Sequence, residues 1–370
     1  MQSTSRITNI FLFLLLWLTS GCASDRPPSG GPVDATPLQV LFSDPAPSAV
    51  QVSTERIQLT FNHDISVRQL LNTVNISPSI GEYDIAVSGR KMEIKGFKPL
   101  QQERTYILTL DKKLRDSNGH TFAAPYTLAF STGAVLDNGI INGTVFNRDY
   151  SPATNALIVA FAKHPESSTA GTLLQGEPDY FVQANGSGAF SLQYLAKGLY
   201  QIIAFNDRNG DRRIDAATEE IGFCSKAIVA TGSSDLLFRL SDMRHKSEKS
   251  PPASKVTAPA ETGTISGICF TSAPYVIVEA SSLTASYRTT ASRERNGALQ
   301  YSFPNLPSGN YTISAFIPSN GKKPDPERQW NPGSIEPFQP AEPFGLYPEK
   351  VTVRPRWTTE HIDIRITASK

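Results

Sequence analysis

The stretch Asn206-Asp207-Arg208-Asn209-Gly210-Asp211-Arg212-Arg213-Ile214-Asp215, followed by Glu219 and Glu220, is where residue types and spacing suit chemistry. Asp207, Asn209 and Asp211 stand at alternate positions, and Asp215 adds a fourth oxygen-bearing side chain. A hard cation asks for such a set. Ca2+ takes about six to eight oxygens, and a turning loop presents side chains at i, i+2 and i+4 inward, with a backbone carbonyl near i+6 that Arg213 can supply. The expected calcium site is Asp207, Asn209, Asp211, Asp215 and Glu220, with Glu219 or Glu220 folding back. A solvated polar hairpin in which Asp and Asn make Asx-turns uses the same residues. Arg208, Arg212 and Arg213 lower the negative charge that the cation needs. Gly210 at the fourth position and Thr218 at the twelfth exclude an EF-hand.

Other chemistry finds little support. The five histidines, His63, His120, His164, His245 and His361, lie far apart in sequence, and none sits in a spacing such as His-Glu-x-x-His. There is no Gly-x-Ser-x-Gly elbow and no phosphate-cradling loop, and Cys224 has no nearby histidine. No enzymatic activity is expected. Thirty-five Lys and Arg nearly balance 34 Asp and Glu, so no basic stripe argues for nucleic acid. Cys224 and Cys269 lie on opposite sides of a linker, either as separate buried thiols or as a disulfide. A second candidate surface is the insertion from Asp325 to Pro348, where Trp330, Phe338, Phe344 and Tyr347 stand among prolines. These aromatics either grip a sugar or protein partner or pack back over an open sandwich end.

The elements that must position these residues are strands. Ile57-Gln58-Leu59-Thr60-Phe61, Tyr106-Ile107-Leu108-Thr109-Leu110 and Tyr126-Thr127-Leu128-Ala129-Phe130 alternate or nearly alternate apolar and polar residues, and turns such as Ser117-Asn118-Gly119 separate such runs. About seven strands in roughly 100 residues is the profile of an immunoglobulin-like sandwich. Ile57-x-Leu59-x-Phe61, the run from Thr105-Tyr106 to Leu114-Arg115-Asp116-Ser117-Asn118-Gly119, and Phe130-Ser131-Thr132-Gly133 resemble the SbsA-type bacterial Ig-like domain of S-layer and envelope proteins. The resemblance covers residues 37–134 and implies a non-catalytic spacer or adhesive module, with Asp116 and Gly119 shaping a turn.

Beyond it the chain repeats itself. Ile141-Asn142-Gly143 is echoed by Ile265-Ser266-Gly267, and Leu195-x-x-Gly198-x-Tyr200 by Leu306-x-x-Gly309-x-Tyr311, each tyrosine opening a strand that ends in Ala-Phe. The motif resembles the carboxypeptidase regulatory-like, or prealbumin-like, sandwich, a domain with no active site of its own. Copies are expected at 140–241 and 263–370, with a linker at 242–262. At the place of the oxygen-rich loop the second copy has Ile317-Pro318-Ser319-Asn320-Gly321-Lys322, so calcium would bind only the first of the two. The expected fold is all-β: tandem immunoglobulin-like and prealbumin-like β-sandwiches.

Ahead of the sandwiches, Arg6, the apolar run from Ile10 to Leu18, and Thr19-Ser20-Gly21-Cys22 form an export signal too short to span a bilayer. Ser20-Gly21-Cys22 resembles the lipobox of bacterial lipoproteins, with Thr19 where the family usually has Leu. The resemblance implies a signal peptide at 1–21, acylation of Cys22, a tether at 22–36 and a membrane anchor made of several acyl chains. Without lipidation, the same segment reads as an ordinary secretory signal. Ala23-Ser24 points to the outer membrane by resemblance to sorting rules. The expected role is that of a lipid-anchored, structural or adhesive envelope protein. The alternative is an accessory subunit that binds a carbohydrate or an envelope protein.

Overall fold

A computed structural model describes residues 34–66, 70–163, 178–244, 261–293, 297–319 and 325–367. Cys22, the signal, most of the tether and most of the linker lie outside the described residues. So do His164 and His245.

The first sandwich comprises β1 (Val40–Asp44), β2 (Arg56–Phe61), the helical turn α1 (Leu70–Thr73), β3 (Val74–Ser77), β4 (Asp84–Ser88), β5 (Lys91–Lys95), β6 (Thr105–Leu110) and β7 (Tyr126–Ser131). One sheet runs β1-β2-β5-β4 and the other β3-β6-β7. Alternation decides what faces the core: Ile57, Leu59 and Phe61 of β2 are fully buried, and they meet Tyr106, Leu108 and Leu110 of β6. The Tyr106 hydroxyl accepts a hydrogen bond from the Gln101 amide at 2.9 Å, so its ring is buried without an orphaned polar end.

The middle sandwich comprises β8 (Gly139–Phe146), β9 (Leu157–Ala162), β10 (Tyr180–Gln183), β11 (Ala189–Leu195), β12 (Leu199–Phe205), β13 (Glu220–Phe223), β14 (Val229–Ala230), β15 (Leu236–Arg239) and β16 (Ser241–Asp242). Its sheets are β10-β9-β12-β13-β16 and β11-β8-β15, with β15 parallel to β8. The last sandwich comprises β17 (Thr262–Phe270), β18 (Val276–Ser281), β19 (Ser286–Arg293), β20 (Leu299–Pro307), β21 (Gly309–Phe316), β22 (Phe344–Leu346), β23 (Val351–Val353), β24 (Thr358–Thr359) and β25 (Ile364–Arg365). There β24 and β25 run parallel to β17, and β19 pairs with both β18 and β20 and so joins the two halves.

The sequence repeat is a structural repeat, and two details explain the residues that recur. Tyr200 and Tyr311 each donate their hydroxyl to the carbonyl four residues earlier, Ala196 at 2.6 Å and Pro307 at 2.9 Å, pinning the same tight loop. Gly143 and Gly267 sit where the parallel partner passes so closely that a Cβ would collide with the carbonyls of Leu236 and Ile362. The fold is therefore all-β throughout, built as tandem sandwiches. Among the described residues no helix is long and apolar enough to cross a membrane.

Candidate functional site

The oxygen-rich loop joins β12 to β13 and turns its side chains on its own amides. Asp207 accepts from the amides of Gly210 at 2.8 Å and Arg212 at 3.2 Å, Asn209 from Asp211, Asp211 from Arg213, and Asp215 from Ala217 and the Thr218 hydroxyl. These are successive Asx-turns. The acid that folds inward is Glu219, which is buried and accepts from the Arg208 and Asp215 amides, each at 3.1 Å. Burial pushes its carboxyl above the ordinary glutamate range, aided by the charges of Asp207 and Asp211 and opposed by the two amides. Glu220 instead belongs to β13, opposite Asp242. Arg212 leaves the loop toward a cleft of about 520 Å³ between the first and middle sandwiches, where its guanidinium lies 5.5 Å from the Phe181 ring centroid. Across the same junction Arg104 meets Asp179 at 3.5 Å.

The aromatic insertion packs back. In β9 the residues Ile158 and Ala160 face the middle sandwich's own core, while Leu157, Val159 and Phe161 face out together with Ile203, Phe205, Ile221 and Phe223. Over that outer face lie Ile335, Phe338, Ala341 and Trp330 of the insertion. Phe338 meets Phe223 edge to face at 5.6 Å, and the amide of Ala341 donates to the carbonyl of Cys224 at 3.2 Å. Phe344 is buried between the two sandwiches, with ring centroids 5.5 Å from Trp330, 6.2 Å from Tyr150 and 6.4 Å from Phe146. Arg239 seals the edge: its guanidinium lies 4.0 Å from the Tyr150 ring and 5.1 Å from Trp330, while donating to the carbonyl of Arg148. Tyr347 packs on the core of the last sandwich. Of the two sequence readings of this insertion, the geometry is that of a cover.

Cys224 and Cys269 are buried free thiols in different sandwiches, their pKa values pushed up by burial to about 11 and about 12. As thiols with raised pKa they are poor nucleophiles.

A third group was not expected. Histidines far apart in sequence come together: His63, just beyond β2, and His120, in the turn after β6, face the side chain of Asp116, with ring centroids 5.3 Å apart. His120 Nδ1 lies 2.6 Å and His63 Nδ1 4.0 Å from Asp116 Oδ2. Asp116 Oδ1 accepts from the amides of Asn118 at 2.9 Å and His120 at 2.8 Å. Gly119, at φ 93°, lets the chain double back. The segment carrying His63 is tied to this turn, since Ser117 donates its amide and its hydroxyl to the Asp64 carbonyl at 2.8 and 3.1 Å. Burial alone would raise the pKa of Asp116. The His120 ring and the two amides outweigh it and hold the carboxyl below the usual range. The sequence signal for Asp116 and His120 was their four-residue spacing within one turn. Nothing local signalled His63, which only the pairing of distant strands delivers.

The family model of the bacterial Ig-like domain matches residues 34–132, the first sandwich. No curated protein matches the chain. Among solved structures, native alpha-2-macroglobulin of Escherichia coli is 13% identical over 77% of this chain with a TM-score of 0.21, and this chain spans only 26% of its length. The Bacillus anthracis TIE protein is 11% identical over 98% of this chain and 62% of its own, with a TM-score of 0.17. The N-terminal part of the bacterial S-layer protein SbsC is 11% identical over 55% of this chain and 44% of its own, with a TM-score of 0.20. Likenesses of this size carry no argument about role.

Proposed function

We propose that the chain is a non-catalytic structural element of the bacterial envelope, anchored by lipid at Cys22 in the outer membrane, whose sandwiches form a stiff spacer headed by an S-layer-type Ig-like domain. The observation that carries this reading is the seam between the last two sandwiches. Trp330, Phe338 and Phe344, the best-suited residues for gripping a glycan or partner, are built into an interdomain joint. A joint of buried aromatics and aliphatics resists bending, because separating its faces would return apolar surface to water. Calcium, if it enters the 207–220 loop, would add rigidity by binding only the folded state. The accessory-subunit reading would need a surface other than the aromatic insertion, and the cleft beside Arg212 is the place for it.

Removing the joint tests the spacer. Phe344→Ala should destabilise the last two sandwiches by about 3–5 kcal/mol, the usual cost of truncating a buried aromatic, and should broaden the distance distribution between spin labels placed on them. Unchanged stability with loss of a glycan or protein ligand would favour the accessory subunit. For the anchor, labelled palmitate should enter the wild-type chain and not Cys22→Ser, and the variant should leave the membrane fraction. Equal labelling of both would sink the anchor.

A further inference from the structure

We infer that His63, Asp116 and His120 form a binding site for a divalent transition-metal ion of the zinc type in the first sandwich. Among the described residues this is the group of His, Cys, Asp or Glu side chains whose ligand atoms all lie within 4.8 Å of one another. Two imidazoles and one carboxylate are a donor set that zinc, nickel and copper accept readily, and one that calcium and magnesium, which prefer oxygen, do not.

Four features point to a built site. The chain contributes the donors from two segments 53 residues apart that are fastened to each other by the Ser117 hydrogen bonds to Asp64 and by the bridge between Ile65 and Asp116. Asp116 has no exposed side-chain surface, and its Oδ1 is held by two amides, which leaves Oδ2 aimed at the rings. This is the outer-shell support that orients a ligating carboxylate. The spacing is also right. Bonds of about 2.0–2.2 Å in tetrahedral geometry place ligand atoms roughly 3.4 Å apart. The present separations from Oδ2, 2.6 Å to His120 and 4.0 Å to His63, bracket that distance, so each ring need shift by less than about 1 Å. Finally, the His63 and His120 side chains retain 18% and 20% of their exposure. That opening admits the ion and leaves room for a water as its fourth ligand. The bound ion would clamp the segment after β2 to the turn after β6.

The test uses the full chain in detergent, stripped with chelator and then titrated with Zn2+ by calorimetry and with Co2+ by visible absorption. A single equivalent should bind with a dissociation constant below about 10 µM, and saturation should raise the melting temperature by several degrees through mass action. Tetrahedral Co2+ bands should appear. His63→Ala and His120→Ala, both partly exposed positions, should each weaken binding by roughly tenfold or more and abolish the bands, while metal-free melting moves little in His63→Ala and falls in His120→Ala, which takes the 2.6 Å partner away from the buried Asp116 carboxylate. Absence of binding at about 1 mM Zn2+ would overturn the inference. So would unchanged Zn2+ affinity and Co2+ bands in the double variant, since the ion would then sit elsewhere. If the single variants unfold, His63→Gln and His120→Gln, which keep a polar side chain of similar reach, take their place under the same criteria.

Discussion

Two polar turns of this molecule invite comparison: the 207–220 loop of the middle sandwich and the turn at 116–120 of the first. The former draws its oxygens from one short stretch, and those oxygens bond the amides of that same stretch. The latter draws a histidine from across the domain onto a carboxylate already fixed by its own turn. Alternating Asp and Asn are what a string of Asx-turns requires, so the same pattern serves a hairpin and a cation loop alike. Convergence of side chains from distant segments has no such local use.

Substitution should separate the two turns. Asp116→Ala should have the larger effect, about 3 kcal/mol in urea unfolding, because it strands the two amides and the His120 ring that the fully buried carboxylate holds. Asp207→Ala with Asp211→Ala, in a half-buried to exposed loop, should lower stability by no more than about 1 kcal/mol without metal. If calcium raises the melting temperature of the wild type and not of this double variant, the two turns are alike in binding ions.

A smaller effect comes from Glu219. Its raised pKa means the folded chain holds its proton more tightly than the unfolded chain. Its contribution to stability is therefore complete below the ordinary glutamate pKa and is lost as pH rises through the raised value. Denaturation midpoints between about pH 4 and 7 should show this decline in the wild type and a flatter course in Glu219→Gln. An equal decline in both would assign it to other groups.

How much of this was legible in the sequence differs by element. The alternation in β2 and β6 reads directly as half-buried strands, and the echo of Leu195-x-x-Gly198-x-Tyr200 in Leu306-x-x-Gly309-x-Tyr311 reads as a repeated loop because each tyrosine must reach its own carbonyl. The covered outer face of the middle sandwich also left a trace. Leu157-Ile158-Val159-Ala160-Phe161 does not alternate, and a strand apolar on both faces must be covered on both. What covers it was not legible. The insertion is separated from β9 by most of two domains, and its prolines and aromatics fit a cover and a binding loop equally well. His63 was hidden for a related reason: a residue that acts through a partner 53 positions away has no neighbour in sequence to reveal it.

The cover supplied by the insertion has a consequence for how the chain is made. Synthesis proceeds from the N-terminus, so the middle sandwich emerges with Leu157, Val159, Phe161, Ile203 and Phe205 bare on one sheet and with nothing yet translated to close over them. Until Trp330 and Phe338 arrive, the nascent chain carries an adhesive surface of the kind that recruits chaperones and misassembles with its neighbours. The last domain thus shields the outer sheet of the one before it, and a chain cut short within the linker should aggregate more readily than one missing the first sandwich.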